Sequence, residues 1–214
     1  MKIFCTTPKK VSADIQLLCD KVVPGSEPQF VNVIAAEEAF PGECFYNVEK
    51  HVQKFGGKSV IGWQLWEWPG VFAEAEFHAV WEDPDGTLLD ITPKADGETS
   101  TLFFPDPSRK YEEKRVANIK HPIAKGELVR DYIKLLDLGF EVVENFSTRV
   151  TPVMVHYGSM LEQATQVVRA MLVKGRTTKG KCVCGGHLTY GDCHRNEVKD
   201  TIEALAKMVI DLKK

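Results

Sequence analysis

The turn Asp83-Pro84-Asp85-Gly86 separates two alternating runs, Ala75–Trp81 and Thr87–Thr92, and it constrains the chain more than any other stretch. Pro-Asp-Gly suits a three-residue loop, a type I turn closed by a glycine in the left-handed region. Closing there sets Asp83 opposite Thr87. Counting back, His78 falls opposite Thr92 and Asp90 opposite Val80. Side chains alternate between faces along a strand, so His78 and Asp90 share one face, as diagonal neighbours with Cβ atoms about 7 Å or less apart. A loop one residue longer or shorter puts them on opposite faces.

Upstream of this hairpin, Pro41-Gly42 forms a turn that launches a helix from about Glu43 to Phe55. Val48, Val52 and Phe55 mark its buried stripe, and Gly56-Gly57 ends it. Cys44 lies one turn before Val48 on the same stripe, so its thiol points toward the sheet on which the helix packs. Val60–Trp68, rich in tryptophan, is the strand between helix and hairpin. A thiol attacks as thiolate. The start of a helix favours negative charge through its unpaired N–H groups and dipole. An imidazole accepts the thiol proton, and a carboxylate fixes the imidazole's tautomer and orientation. Cys44, His78 and Asp90 supply those three groups.

The stretches GECFYNV and HAVWEDPDGTLLDITP resemble the papain-like cysteine hydrolases of transglutaminase type, whose nucleophile opens a helix and whose His and Asp sit on adjacent strands. They are also similar to N-terminal glutamine amidases. The resemblance covers residues 42–93. It implies an α+β fold, with an antiparallel sheet packed on the cysteine-bearing helix. It also implies Cys44 as nucleophile, His78 as general base and acid, and Asp90 as orienting carboxylate. The implied activity is acyl transfer from an amide, on peptides or on glutamine or asparagine side chains. An oxyanion hole needs N–H donors near the attacked carbonyl. The Cys44 backbone is one candidate, and Gln29, Gln64 and Asn47 are side-chain candidates. The alternative is a non-enzymatic adaptor that binds a peptide and docks a partner through a metal module.

That module is Cys182-x-Cys184-x8-Cys193-His194. Three sulfurs and an imidazole make a donor set for a tetrahedral structural zinc, with His187 as a substitute for His194. Soft thiolates select zinc over magnesium or calcium, and four protein ligands leave no open catalytic position. The spacing resembles the SEC-C zinc motif, with Cys182, Cys184, Gly185, Tyr190, Cys193 and His194 in matching places. That resemblance implies a bacterial or phage source and a small docking module for protein or nucleic acid, of which a protein partner is the one expected here.

The 214 residues allow one medium domain and an appendage. A net charge of −3 gives no field to attract nucleic acid or an anionic membrane, and neither is an expected partner. No apolar run suits a membrane span or a secretion signal, and the expected location is cytoplasmic. The expected segments are a papain-like domain over 1–156, a connecting helix and linker over 157–178, and the zinc module with its terminal helix over 179–214. Within the first, Lys2–Cys5 and 29–36 read as short strands, and 93–124 as an irregular wrapping arm. A helix over Glu127–Leu138 is expected to stop at Gly139, with strands in 140–146 and 148–155. Helices are also expected over Ser159–Val173 and Asn196–Leu212.

Overall fold

The structure is a computed structural model that describes residues 5–94, 97–146 and 152–213. Among these residues the protein is α+β, with two compact units, Met1–Ile123 and Ala124–Lys214. The first unit runs α1 (Ala13–Val22), β1 (Gln29–Val33), α2 (Cys44–Phe55), β2 (Lys58–Trp68), β3 (Phe72–Glu82), β4 (Leu88–Asp90), β5 (Ser100–Pro105) and β6 (Ile119–Pro122). The second holds α3 (Glu127–Phe146), α4 (Pro152–Val173) and α5 (Arg195–Leu212).

The strands lie in the order β2-β5-β1-β4-β3-β6, and β2 also pairs with β3. That extra pairing closes five strands into a small barrel, with β6 on its flank. The expected sheet was antiparallel. The observed one is mixed, because β1 runs parallel to β4 (Asn32↔Leu89, Val33↔Asp90). The whole α2-β2-β3 segment separates these two strands, enough chain to return in the same direction. Closure buries both faces of a sheet that an open hairpin would leave wet. Val31, Val60, Val80, Leu88 and Phe103, one from each of the five strands, form the interior cluster. Outside, Ile15, Leu18 and Cys19 of α1 cover Trp63, Leu65, Ala75, Phe77 and Leu102. Val48 of α2 covers Ala79 and Ile91.

The hairpin has the register that its turn dictates. Trp81 pairs with Leu89 and Glu82 with Leu88, and the Asp83 N–H donates to Thr87 O at 2.9 Å. Gly86 takes φ +87°, the left-handed conformation that closes such a loop. Past Trp81 the two strands part. Residues beyond Asp90 turn to the β1 side, where Ile34 N–H donates to Asp90 O and Ala36 N–H to Ile91 O. β6 holds β3 only between Phe72 and Ala75. Residues 76–80 of β3 therefore lack a strand partner on that side among the described residues. This gap in the barrel wall is where the first turn of α2 meets groups from inside.

Elsewhere the elements differ from the sequence expectation in three places. The segment 93–124 is not merely a wrapping arm: it contributes β5, which completes the barrel, and β6. α3 continues through Gly139, where a Cβ would lie 3.4 Å from the Leu161 side chain, an ordinary contact, and residues 140–146 are helical rather than strand. α4 begins at Pro152, a residue whose missing N–H costs nothing in a first turn. The strand expected at Lys2–Cys5 falls largely outside the described residues; of the one expected at 148–155, residues 152–155 are helical instead, the first turn of α4, and the rest falls outside the described residues. In the second unit, Leu138 and Val142 of α3 pack with Leu205 and Val209 of α5.

Candidate active site and metal centre

His78 and Asp90 both point to the interior side of the barrel, and both are buried. His78 Nε2 lies 2.9 Å from Asp90 Oδ2. The parity set by the three-residue loop brings them together across the gap. Cys44, the first residue of α2, is the imidazole's other polar neighbour, and it favours the protonated ring. With Asp90 on Nε2, Nδ1 is the nitrogen that remains for the sulfur. Burial alone would lower the His78 pKa. The neighbouring Cys44 and the Asp90 carboxylate outweigh it and raise the pKa from 6.5 to about 9. Burial likewise opposes ionisation of Asp90, yet His78 and Lys94 hold its carboxyl down at about 2.

A second layer of hydrogen bonds fixes these groups. The Thr92 N–H donates to Asp90 Oδ1 at 3.0 Å. Asn47, one turn into α2, donates from Nδ2 to Thr92 Oγ1 at 3.2 Å and to Phe40 O at 2.8 Å, and its Oδ1 accepts the Phe40 N–H at 3.0 Å. The helix start is thereby pinned to the loop before it and to the strand that carries Asp90. The Glu43 side chain at the N-cap makes no capping hydrogen bond, and the first-turn N–H groups of a helix have no intrahelical partner to compete with an anion. Gly62, paired with His78 across β2–β3, allows β5 to cross closely. A Cβ there would lie 2.2 Å from Phe104 O and 2.6 Å from the Phe103 ring.

The candidate oxyanion side chains have other engagements. Gln64 is buried, with Oε1 accepting from Lys94 and Nε2 donating to Glu76 at 3.4 Å. Asn47 spends its amide on Phe40 and Thr92 as above. Gln29 is exposed on β1, paired with Phe103, and no hydrogen bond among the described residues joins it to Cys44, His78 or Asp90.

Two residues near the site escaped the sequence reading. Lys94 places Nζ 2.6 Å from Asp90 Oδ2, with its side chain 6% exposed. Tyr111 stacks on Phe45 at 3.8 Å between ring centroids, with the planes 2° apart. Burial, then the charges at Cys44, Glu43 and Glu113, raise its pKa. Lys94 follows a proline beyond the end of the strand pattern, and Tyr111 sits in the segment read as irregular. Neither carries a periodic signal.

In the second unit, Cys182, Cys184, Cys193 and His194 present ligand atoms that all lie within 4.8 Å of one another. All six cysteines of the chain are free thiols. Cys182 leaves a one-pair bridge, Lys181↔Thr189, and Gly185 takes φ +89° to turn the chain between the first two sulfurs and the last. Cys193 N–H donates to Tyr190 O, and His194 precedes the first turn of α5. Cys184 Sγ and Cys193 Sγ are 3.7 Å apart, and His194 Nδ1 lies 3.2 Å from Cys182 Sγ and 3.1 Å from Cys193 Sγ. Tetrahedral zinc, with bonds of about 2.3 Å to sulfur and 2.0 Å to nitrogen, needs edges of about 3.5–3.8 Å. The three pairs just given lie within a few tenths of an ångström of these edges, and no pair exceeds 4.8 Å, so the set is compatible with binding a metal. His187 is not in the cluster.

Among the described residues, no helix is long and apolar enough to cross a membrane. No family model matches the chain, and neither a curated protein nor a solved structure matches it.

Proposed function

We propose that the protein is a cysteine hydrolase or acyltransferase acting on peptide or side-chain amides, with a papain-like, transglutaminase-type centre. The observation that carries this reading is the buried His78–Asp90 hydrogen bond, with Cys44 at the start of a helix as the imidazole's second partner. His78 takes the proton of the Cys44 thiol as the reaction begins. The Cys44 thiolate attacks the amide carbonyl, forming a C–S bond and moving the carbonyl π electrons onto oxygen. The N–H groups at the start of α2 stabilise that oxyanion. The oxyanion collapses, the C–N bond breaks, and imidazolium His78 delivers its proton to the departing nitrogen. Water, or a second amine, then gives its proton to neutral His78 as it attacks the thioester, and Cys44 leaves as thiolate. Asp90 stays ionised throughout and holds the imidazole in place.

The Cys3His cluster holds a structural zinc in this reading. The donor set supports it: three soft sulfurs and an imidazole, with no open position for a substrate. Bound zinc supplies a cross-link between the knuckle and the start of α5. By the spacing of its ligands the module resembles SEC-C motifs and serves as a docking point for a partner protein.

Incubating the protein with a library of peptide amides tests the enzymatic reading. Released ammonia or new amino termini are followed, together with the intact mass of the protein. The proposal expects product, and a thioester adduct on Cys44, from the parent protein and neither from Cys44→Ala. Equal product from both proteins overturns the assignment of Cys44, and no product from either overturns the enzymatic reading.

A further inference from the structure

Lys94 lies at the back of the proposed centre, and sequence reasoning did not reach it. Its ammonium sits 2.6 Å from Asp90 Oδ2, the oxygen that also receives His78 Nε2. It donates in addition to Gln64 Oε1 and lies 5.9 Å from the centroid of the Trp66 ring. Gln64 Nε2 donates to Glu76 Oε2 at 3.4 Å, and Trp66 Nε1 donates to the same oxygen at 2.6 Å. Asp90, Gln64 and the Lys94 side chain are almost wholly buried.

A buried ammonium is costly to keep without a partner, so the site holds one for a reason that packing does not supply. Lys94 faces Asp90, not solvent and not a distant surface acid. From this geometry we propose that Lys94 is a positioning residue for the Cys44–His78 pair. By sharing Asp90 Oδ2 it draws carboxylate charge away from the imidazole and sets the pH at which His78 gives up its proton. The inference rests on the hydrolase reading and deepens it.

Several ionisable groups act on His78. Cys44 faces it from α2 and Asp90 from β4, while Glu76 lies two residues along the same face of β3. Lys94 reaches it through Asp90, and Tyr111 and Glu43 stand beside Cys44. Lys94 is the cation of this set nearest Asp90. Asp90 is charged at all working pH values, so the full effect of Lys94 falls on the imidazole. A nearby positive charge disfavours imidazolium. Removing it raises the pKa of His78.

The test measures the rate of iodoacetamide alkylation at Cys44 from pH 5 to pH 10. Peptide mass spectrometry separates Cys44 from the five other cysteines. The proteins are the parent chain, Lys94→Met and Lys94→Gln. Methionine keeps the length of the side chain without its charge, and glutamine can still donate a hydrogen bond without the charge. In the parent chain, the inference expects a step in rate where His78 titrates. In both variants that step moves up by about one pH unit, with urea midpoints recorded alongside. A step that stays in place in folded variants overturns the role of Lys94 and leaves the hydrolase reading intact. A parent chain with no step beyond ordinary thiol ionisation overturns the hydrolase reading itself. If Lys94→Met fails to fold, Lys94→Gln decides. A shift in Met alone overturns the charge mechanism, because both variants lose the same charge.

Discussion

Asp90 accepts from Thr92 on one oxygen and from His78 and Lys94 on the other, all within the protein interior. Asp90→Asn keeps the shape and the Thr92 bond but leaves two cationic partners without their carboxylate. Breaking a buried pair in this way costs about 3–5 kcal/mol, and urea denaturation at pH 7 checks it. The same groups set a pH dependence of stability. Asp90 is depressed to about 2, so its contribution is complete above its ordinary 3.8 and is lost as pH falls through 2. His78 is raised to about 9, so its contribution is complete below 6.5 and is lost as pH rises through 9. Unfolding free energy should therefore decline on both sides of the interval from about pH 4 to 6.5. The His78 imidazole signal in NMR should still report the protonated ring at pH 8, and Cys44→Ala should bring its titration to lower pH. At this scale His78 and Asp90 were legible, because one turn fixes the parity of both. Lys94 was not, since its place depends on how the chain leaves β4 after Pro93.

Helix α2 gains its position from Asn47, whose amide joins the Phe40 loop to Thr92. Asn47→Ala removes three hydrogen bonds and strands the Thr92 hydroxyl. A loss of about 1–3 kcal/mol follows, and alkylation of Cys44 should slow because the helix start is no longer pinned over the gap. Gly62→Ala tests the barrel wall instead. Its methyl would meet Phe104 O and the Phe103 ring at distances that backbone cannot tolerate, and overpacking of this kind costs about 1–3 kcal/mol or more. The thermal midpoint measures it. Sequence pattern revealed α2, β2 and β3 through their periods and their glycine stops. β5 escaped because its run, Ser100–Pro105, is buried on both faces and shows no alternation. Gly139 read as a stop, but packing of α3 against α4 and α5 carries the helix across it.

On the scale of the whole molecule, closure of the barrel was not legible. It depends on β1, β4 and β5 finding one another across long stretches of chain, and no local signal encodes that. The approach of Cys182, Cys184, Cys193 and His194 to one another was legible, because side chains within 13 residues need little tertiary context. The contribution of this cluster to the second unit can be read by removal. A strong chelator, or Cys193→Ser, should loosen the knuckle and fray the start of α5, with loss of helical signal in far-ultraviolet circular dichroism. Atomic absorption after dialysis should find one zinc per chain in the parent protein and none in the variant. For the unit that carries the proposed centre, the central claim is that His78 activates Cys44. The most direct measurement compares the alkylation rate of Cys44 at pH 6 in the parent protein and in His78→Gln. Activation predicts that the parent reacts faster by about tenfold or more. Equal rates in the two folded proteins would contradict it.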